Sequence, residues 1–380
     1  MNVGIDARWL GAAGVGRYVS NIVRELEQLD SPNRYFVYCV PGATNVNFVN
    51  GRWQKRIFPE ARVFGRLQLW LDPAWRSLDV FWATNQDLPR ACGSAMFKVL
   101  TVHDLVWKLY PETMTRENLL AHEARFSRSV LQADRIVAVS EATRQSLIET
   151  MGVPPGKVSV IHHGVDPSFS AQDRVSSARY ISRKYGVSED YICTVGTVEP
   201  RKDQATLVRA LKILRDRGRL RHQLVIAGGP GWKNQQVYGS VAECGLSERE
   251  VKFVGKVPEE DLPKLYSGAA LFAYPSLYEG FGLPLLEAMA CGAAVVSSDA
   301  PAMPEVASGA AIMAACGQPE AFADAISRIL EDSALREDLI KRGLRRAADF
   351  RWAAAAQQTL HVLEQGRRFP AARPAQHENS

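Results

Sequence analysis

Three absences narrow the class of this 380-residue chain before any motif is considered. Its six cysteines form no C-x-x-C pair, which argues against a zinc site or a disulfide framework and favours reduced thiols. No apolar run reaches the ~18 residues that a membrane-spanning helix needs. The opening residues M-N-V-G-I-D-A-R lack the layout of a secretory signal peptide. We therefore expect a cytoplasmic protein without a transmembrane segment.

A strong excess of one charge is also missing, since the formal net charge at pH 7 is only +5. Such a balance does not indicate a nucleic acid partner. Apolar residues make up 46% and charged residues 23%, as in ordinary globular proteins. A chain of 380 residues exceeds what one core usually organises, so we predict two domains, over 1–168 and 189–349. A linker over 169–188, a last helix over 350–366 and a disordered tail over 367–380 complete the prediction.

Both predicted halves open with a strand, a glycine turn and a helix, as doubly wound α/β domains do. In the first half, strand Val3–Asp6 leads through Gly14 and Gly16 into a helix with apolar residues at helical spacing. In the second half, Ile192–Val195 is the corresponding strand. A nicotinamide cofactor would need an acidic residue after the second strand, but Tyr35–Val40 runs into a proline–glycine pair. The missing acid argues against a dehydrogenase.

The most informative stretch is Tyr274–Cys291, Y-P-S-L-Y-E-G-F-G-L-P-L-L-E-A-M-A-C. It predicts a buried strand end, a glycine loop and a helix opened by Pro284, where the missing N–H of proline is tolerated. The loop amides and the positive end of the helix dipole would form an anion site. The loop consists of Gly280, Phe281, Gly282 and Leu283. Glu279 and Glu287 flank it, which suits a ligand with phosphates and hydroxyls; the alternative is a helix cap and a solvated carboxylate.

Two adjacent cations follow the first strand of the second half. Arg201 and Lys202 come after the turn at Gly196 and could neutralise a diphosphate; the alternative is a surface basic pair. Another strand of this half, Val251–Val254, is followed by Gly255-Lys256-Val257, where glycine lets a ligand approach the backbone.

Polar residues also follow two predicted strands of the first half. His103 and Asp104 come after Lys98–Val102, and Ser140 comes after Arg135–Val139. Ligands of open α/β sheets lie beyond the carboxyl ends of the strands, so these side chains are expected at a ligand site. The alternative for His103 is a purely structural histidine.

The segment Arg52–Arg76 mixes basic and aromatic residues. It holds six cations against two acids, a local charge of 6 − 2 = +4, and five aromatic residues are interleaved with them. This composition favours an anionic membrane surface or a lipid-linked acceptor. The alternative is a solvated, partly packed helix pair.

These motifs resemble the retaining glycosyltransferases of the GT-B fold, of the bacterial family 4 type that includes surface-polysaccharide mannosyltransferases. Glu279 and Glu287 stand in E-x7-E around G-F-G-L-P, and G-T-V-E-P-R-K-D (Gly196–Asp203) and H-H-G-V-D (His162–Asp166) support the resemblance. It covers nearly the whole chain. It implies two Rossmann-like domains facing across a cleft, the first for the acceptor and the second for the nucleotide sugar, with the last helix crossing back.

The resemblance also implies residue roles. Arg201 and Lys202 would hold the donor diphosphate, Glu287 the ribose hydroxyls and Glu279 the hydroxyls of the transferred sugar. The implied donor-binding residues are Gly14, Gly16, Gly196, Arg201, Lys202, Gly255, Lys256, Val257, Glu279, Gly280, Phe281, Gly282, Leu283 and Glu287. The implied catalytic residues are Glu279, His103, Asp104, Lys202 and Arg201. The implied acceptor-binding residues are His103, Asp104 and Ser140.

The implied reaction transfers a hexose from a nucleotide sugar to a glycan or a polyprenyl-diphosphate-linked acceptor. We expect mannose from GDP-mannose, with rhamnose, glucose and galactose donors left open, and a peripheral position on the inner face of the cell membrane. Glycosyltransferases of another fold hold a metal with D-x-D, and no D-x-D occurs in this chain, so we expect no metal and no cofactor. Same-face attack is favoured over a covalent intermediate. A sugar-nucleotide epimerase of the same fold and a non-catalytic transferase-like subunit are the alternatives.

Overall fold

The strands form two separate parallel sheets, one in each half of the chain. The computed structural model describes residues 1–10, 14–40, 47–57, 69, 71–93 and 96–368, without the side chains of 118, 121 and 368. The strands are β1 (Asn2–Asp6), β2 (Arg34–Cys39), β3 (Trp53–Ile57), β4 (Val80–Ala83), β5 (Phe97–Val102), β6 (Arg135–Ala138), β7 (Val158–Val160), β8 (Tyr191–Val195), β9 (Gln223–Ala227), β10 (Val251–Gly255), β11 (Leu271–Tyr274), β12 (Val295–Ser298) and β13 (Ile312–Ala314).

Helices connect these strands, as parallel pairing requires. The α-helices are α1 (Val15–Gln28), α2 (Pro73–Arg76), α3 (Val106–Leu109), α4 (Arg116–Gln132), α5 (Glu141–Met151), α6 (Arg174–Tyr185), α7 (Gln204–Asp216), α8 (Gln235–Glu243), α9 (Leu262–Gly268), α10 (Leu283–Ala290), α11 (Met303–Ala307), α12 (Pro319–Glu331), α13 (Ser333–Ala348) and α14 (Trp352–Glu364). Short 3-10 turns occur at Pro111–Thr113, Pro155–Lys157, Pro200–Lys202, Glu259–Asp261 and Gln365–Arg368. Among the described helices, none has the length and apolar composition that crossing a bilayer requires.

The first unit contains residues 1–105, 120–164 and the chain from Trp352 onward. Its sheet has the order β3-β2-β1-β4-β5-β6-β7, so the direction of winding reverses between β1 and β4. The central strand β4 is buried on both faces, which is typical of a sheet covered by helices on both sides. The helix α1 buries the predicted stripe Val19, Ile22, Val23 and Leu26. The doubly wound fold predicted for this half is confirmed.

The second unit contains Val106–Leu119 and Val165–Arg351. Its sheet has the order β10-β9-β8-β11-β12-β13, and the winding reverses between β8 and β11. These two strands pair through Ile192 with Leu271 and through Cys193 with Phe272. Ligands of doubly wound proteins bind beyond the carboxyl ends of the strands at such a reversal. The loops after β8 and β11 carry Arg201, Lys202 and Glu279, so the topology brings these residues to the expected place.

The segment 169–188, predicted as a linker, contains a helix. Helix α6 occupies Arg174–Tyr185, begins at an Asp173 cap and buries Ala178 and Ile181, and it packs against α9 within the second unit. These two buried apolar residues are enough to pack a surface helix whose other face is charged.

The described part of the basic and aromatic segment 52–76 contains a strand and a short helix rather than a helix pair. Trp53 lies in the edge strand β3, is 6% exposed and stacks on Tyr35 with ring centroids 4.1 Å apart. Trp75 in α2 is 3% exposed and meets Tyr38 edge-on at 5.3 Å. Both rings therefore belong to the core of the first unit. Five further members of the pattern, Phe58, Arg62, Phe64, Arg66 and Trp70, lie outside the described residues.

The last helix lies where it was predicted, as α14 over Trp352–Glu364, and packs against α1 in the first unit. The predicted tail begins slightly too early. Arg367 belongs to the 3-10 turn after α14 and donates to the side chain of Asn33 at 3.1 Å. Residues 369–380 of the predicted tail lie outside the described residues.

Candidate active site

The loops after β8 and β11 are fastened to each other by their backbones. The amide of Leu277 donates to the carbonyl of Arg201 at 2.8 Å. Gly196 ends β8 with φ +156°, and a Cβ atom there would lie 3.5 Å from Cδ of Lys202. The bare backbone of Gly196 thus runs beside the Lys202 stem. The 3-10 turn Pro200–Lys202 then aims both cations at the residues that follow β11.

Arg201 and Lys202 meet on the carboxylate of Glu279. Nη1 of Arg201 donates to Oε2 of Glu279 and to the carbonyl of Tyr278, both at 3.0 Å, and Nη2 donates to Glu199 at 2.8 Å. Nζ of Lys202 is ion-paired with Oε1 of Glu279. Glu199 and Glu279 are 3% and 8% exposed. The two cations and two carboxylates therefore form a largely buried cluster that carries no net charge. We refer to Glu199, Arg201, Lys202 and Glu279 as the ion cluster.

The ion cluster fixes the ionisation of Glu279. Burial alone would raise the pKa of this carboxyl, but Lys202 and Arg201 lower the pKa to about 2. Burial lowers the pKa of Lys202, and the charge of Glu279 opposes that shift. An acid with a pKa of about 2 is ionised at neutral pH and is a weak base. Glu279 is therefore suited to electrostatic and hydrogen-bonding tasks rather than to proton abstraction.

The amino-terminal end of α10 lies beside the ion cluster. Gly282 caps this helix with φ +92°, and a Cβ atom there would approach Cε of Met303 to 2.6 Å and the Tyr274 ring to 3.7 Å. The hydroxyl of Tyr274 contacts Lys202 Nζ at 3.2 Å and donates to Glu279 at 2.8 Å. One tyrosine thus touches both the cation and the helix terminus. Cations and helix amides are the groups that stabilise a diphosphate.

Glu287 is buried, which excludes the solvated-face interpretation. It lies on α10, is 2% exposed, and accepts a hydrogen bond from the Tyr266 hydroxyl at 3.0 Å. Phe281, in the loop before the helix, is also buried and meets Phe350 edge-on with ring centroids 5.7 Å apart. Packing on both sides of the loop holds the Gly280–Leu283 backbone that was predicted to bind an anion.

The predicted donor-binding residues Gly255, Lys256 and Val257 lie at the end of β10 and directly after it. Gly255 has φ +69°, a conformation that favours glycine, and its carbonyl accepts from the amide of Gly228 at 2.8 Å. The side chain of Lys256 is exposed and that of Val257 is buried. The Gly255 backbone is therefore tied to the loop after β9.

The first unit places His103 at the carboxyl end of β5. Its Nε2 atom lies 2.9 Å from the carbonyl of Thr84, which requires the proton on Nε2 and leaves Nδ1 as an acceptor. Burial lowers the pKa of His103, so the ring is neutral at pH 7. Tyr18 meets this ring edge-on at 4.9 Å. Asp104 follows at a half-buried position. A neutral, oriented imidazole is suited to accepting a hydrogen bond from a hydroxyl.

Ser140 is the predicted site residue that the structure assigns elsewhere. It is fully buried, caps α5 by accepting from the amide of Thr143 at 3.0 Å, and bonds the Thr143 hydroxyl at the same distance. Serine is favoured at such caps because its oxygen satisfies a free amide. The hydroxyl of Ser140 thus has a structural task, and its predicted contact with the acceptor stays a prediction. Gly14 likewise caps α1, with φ +68°, and Gly16 is buried in its first turn.

Sequence reasoning missed several residues of the site. Tyr274, Tyr278 and Tyr266 supply hydroxyl or carbonyl partners to the carboxylates and to Arg201, and Glu199 neutralises Arg201. Glu199 precedes the two cations in E-P-R-K, and this charge pattern was the available signal. The three tyrosines have apolar neighbours in the sequence. Only their tertiary contacts show that they form hydrogen bonds as well as packing in the core.

Comparison with known proteins supports the motifs. The models of two families match the chain, Glycosyltransferase Family 4 over residues 12–169 and Glycosyl transferases group 1 over residues 181–346. The chain is 30% identical over 295 residues to O-antigen chain mannosyltransferase B of Escherichia coli, which covers 77% of this chain and 76% of that protein. It is 33% identical to a D-inositol 3-phosphate glycosyltransferase of Kribbella flavida, over 92% of this chain and 90% of that protein.

Solved structures share the fold. The crystal structure of Anabaena HepE in complex with UDP and glucose superposes with a TM-score of 0.75 at 20% identity, covering 96% of this chain and 99% of that chain. At this identity the likeness concerns the architecture alone.

Proposed function

Since the chain belongs to the glycosyltransferases of group 1 and family 4, we propose that it is a retaining mannosyltransferase that uses GDP-mannose without a metal ion. The observation that carries the proposal is the ion cluster beside the α10 terminus, at the switch point of the second sheet. The name of the Escherichia coli relative supports mannose as the transferred sugar. The acceptor in the proposal is a glycan or a polyprenyl-diphosphate-linked precursor.

The chemistry places two demands on the site. When the bond between the anomeric carbon and the β-phosphate oxygen breaks, its electron pair leaves with the diphosphate and positive charge develops on the sugar ring. Fixed cations and dipoles aimed at the leaving group supply the main electrostatic stabilisation. We assign Arg201, Lys202 and the amides of Gly282 and Leu283 to the diphosphate. These groups take over the task that a metal ion performs in D-x-D enzymes.

Glu279 has a separate task in this proposal. Its carboxylate holds both cations in place and accepts hydrogen bonds from sugar hydroxyls near the reacting carbon. A carboxylate with a pKa of about 2 is a poor base, which favours attack by the acceptor hydroxyl on the face that the diphosphate leaves. The new bond joins the acceptor oxygen to the anomeric carbon, and the hydroxyl proton passes to the departing phosphate oxygen. His103 and Asp104 are assigned to the donor sugar and the acceptor.

A contact with an anionic membrane surface forms part of the proposal, because a polyprenyl-linked acceptor resides in a bilayer. Exposed cations at Arg52, Lys55 and Arg76 and exposed apolar side chains at Ile57 and Leu71, 55% and 57% exposed, support it. Flotation with phosphatidylglycerol vesicles tests it. Binding at low salt that Lys55→Glu weakens is expected, and no binding at low salt would contradict it.

The deciding experiment is a thermal-shift screen of sugar nucleotides with and without EDTA, since a ligand of the folded state raises the melting temperature. GDP-mannose is expected to stabilise the protein more than UDP-glucose or UDP-galactose, equally well in EDTA. Nuclear magnetic resonance of the product then gives the anomeric configuration. Lys202→Met tests the assignment of Lys202 to the diphosphate, and Lys252→Met, at a lysine elsewhere on the second unit, is its control. A UDP-sugar as the preferred ligand would contradict GDP-mannose as the donor. An inverted product would contradict retention, and turnover abolished by EDTA would contradict metal independence.

A further inference from the structure

One segment of the chain belongs to the second unit although its neighbours in sequence belong to the first. The chain leaves the first unit after Leu105, contributes Val106–Leu119 to the second unit, and returns at Leu120. We refer to Val106–Leu119 as the crossing segment. It contains α3 and the 3-10 turn Pro111–Thr113 and starts two residues after Asp104. None of the motif residues discussed above lies within it.

The first contact that fixes the crossing segment is an aromatic stack beside Glu279. The ring of Tyr110 lies on the ring of Tyr278, with centroids 5.3 Å apart and planes inclined by 29°. Tyr278 is 2% exposed, directly precedes Glu279 in the chain, and its carbonyl accepts from Arg201 at 3.0 Å. The stack therefore contacts Tyr278, whose carbonyl is one hydrogen-bond partner of Arg201. The next residue in the chain, Glu279, is another partner of Arg201.

The second set of contacts to the crossing segment consists of hydrogen bonds from the loop after β9. Nε1 of Trp232 donates to the carbonyl of Thr113 at 2.6 Å, and Nζ of Lys233 donates to the carbonyl of Glu112 at 2.7 Å. Lys233 has φ +51°, a costly conformation for a residue with a Cβ atom, which turns its side chain back onto the segment. Two adjacent side chains thus fix two adjacent carbonyls of the 3-10 turn.

The loop that carries Trp232 is itself packed on the ion cluster. A Cβ atom at Gly231 would lie 2.7 Å from Thr197 and 3.1 Å from Cβ of Glu199, and its amide donates to the carbonyl of Val198 at 2.9 Å. The crossing segment therefore contacts the loop after β9, which packs on Glu199, and Tyr278, which precedes Glu279. These are the two carboxylates that bind Arg201.

We propose that the crossing segment holds the ion cluster in its reactive geometry, with Tyr110 as the positioning residue for Glu279. The inference rests on the proposed function. Tyr110 touches neither carboxylate; it acts through Tyr278, whose displacement would move both the carbonyl and the carboxylate that fix Arg201. A misplacement of about 1 Å at a reacting centre lowers turnover by as much as ~100-fold. The Tyr110 ring matters in this proposal and its hydroxyl does not.

Steady-state kinetics of the full chain test the proposal with GDP-mannose and an acceptor sugar. Tyr110→Ala is expected to lower kcat about 10- to 100-fold while changing the donor KM less than about three-fold, because the Glu279 loop loses its support. Tyr110→Phe keeps the stack and is expected to keep kcat within about two-fold. Tyr238→Ala is the matched control, since Tyr238 is 40% exposed and packs on Phe253 at 4.6 Å in the same unit. It should leave kcat unchanged.

Hydrogen exchange supplies a readout that does not depend on turnover. Amides of Leu277–Gly280 should exchange faster in Tyr110→Ala than in the wild type, and Tyr110→Phe and Tyr238→Ala should match the wild type. Unchanged kcat and exchange in Tyr110→Ala would overturn the proposal, as would an equal loss of kcat in Tyr110→Phe or an effect on KM alone. If the wild type transfers no sugar, the proposed function fails, and the exchange measurement still decides whether Tyr110 holds the loop.

Discussion

At the scale of single residues, burial changes what a charge contributes. An exposed lysine contributes little to stability, and the alternative of a surface basic pair would make Lys202 such a residue. In the structure its side chain is only 13% exposed and is ion-paired with Glu279. Removing one partner of a buried pair leaves a charge without compensation and costs roughly 3–5 kcal/mol. We therefore expect the removal of Lys202 to lower stability as well as activity.

This prediction concerns Lys202 and Glu279 together. Lys202→Met should lower the free energy of unfolding by roughly 3 kcal/mol, and the double variant Lys202→Met/Glu279→Gln should recover most of that loss without regaining activity. Chemical denaturation of the two single variants and the double variant measures the coupling. A Lys202→Met protein as stable as the wild type would mean that the pair does not exist in solution.

Asp203, the next residue, predicts a pH dependence of stability. Burial raises its pKa from 3.8 to about 6, against the hydrogen bond from Thr206. Folding thus favours the protonated acid, and the destabilisation grows as pH rises from 3.8 to about 6. Asp203→Asn keeps a residue type that tolerates the observed φ of +47° and should gain roughly 1–3 kcal/mol over the wild type at pH 7.5 but not at pH 3.5.

The control for Asp203 is an aspartate with the opposite shift. Asp216 has its pKa lowered by its hydrogen bond with Lys212, so its favourable contribution is present at neutral pH and is lost in acid. Asp216→Asn should therefore be less stable than the wild type at pH 7.5 and should match it in acid. Melting temperatures of both variants across this pH range test the two signs. A constant difference between Asp203→Asn and the wild type would contradict the assignment.

At the scale of secondary structure, the start of α5 decides the role of Ser140. The residue has extended backbone angles, φ −153° and ψ +163°, and its hydroxyl satisfies the amide of Thr143. Ser140→Ala should lower the stability by about 1 kcal/mol and leave kcat per folded molecule unchanged. Ser140→Thr keeps the hydroxyl and is the control. A large fall in kcat with an unchanged melting temperature would instead support the predicted acceptor contact of Ser140.

The loop after β9 contains two neighbouring glycines that the structure distinguishes. A Cβ atom at Gly228 would lie 1.9 Å from the carbonyl oxygen of Gly196, whereas nothing lies within 4 Å of a Cβ atom at Gly229. Gly228→Ala should therefore push the loop after β8 away and lower both activity and stability, the latter by about 1–3 kcal/mol. Gly229→Ala should be close to the wild type in both. Equal effects of the two substitutions would show that loop contact is not the cause.

At the scale of the whole molecule, the sequence predicted what depends on local patterns. Apolar runs located strands such as Ile192–Val195 to within one residue, and the glycine turns after them indicated doubly wound halves. A strand end, a helix start and the reversal of strand order are enough to place Arg201 and Glu279 on adjacent loops. For this reason the predicted donor-binding residues of these two loops could be grouped before any contact was known.

What the sequence did not predict depends on contacts between distant segments. Arg201 and Glu279 are 78 residues apart, so their hydrogen bond and the charge balance of the ion cluster have no local signal. The helix cap formed by Ser140 was not predicted because a strand end and a helix cap look alike in one sequence. Strand β3 was missed because its exposed face is basic and only Trp53 is buried. The crossing segment carries no motif, and its place in the second unit follows from tertiary packing alone.

The first unit is completed by the last described part of the chain, which yields a prediction about its folding. After α14, Gln365 accepts from Nε of Arg135 at 2.7 Å, across 230 residues. A Cβ atom at Gly366 would lie 2.5 Å from Cγ2 of Val80 and 3.2 Å from Cβ of Phe97. Gly366→Ala should therefore destabilise the first unit by about 1–3 kcal/mol, because Val80 and Phe97 begin neighbouring central strands.

Hydrogen exchange measures this effect unit by unit. Amides of β4 and β5 should lose protection in Gly366→Ala, while amides of β8 and β11 should keep theirs, since local openings report the stability of the unit in which they occur. Gly156→Ala, also in the first unit but with nothing within 4 Å of its Cβ position, is the control. Loss of protection in both sheets would contradict the prediction and would mean that the two units unfold together, with the terminal turn stabilising the whole chain.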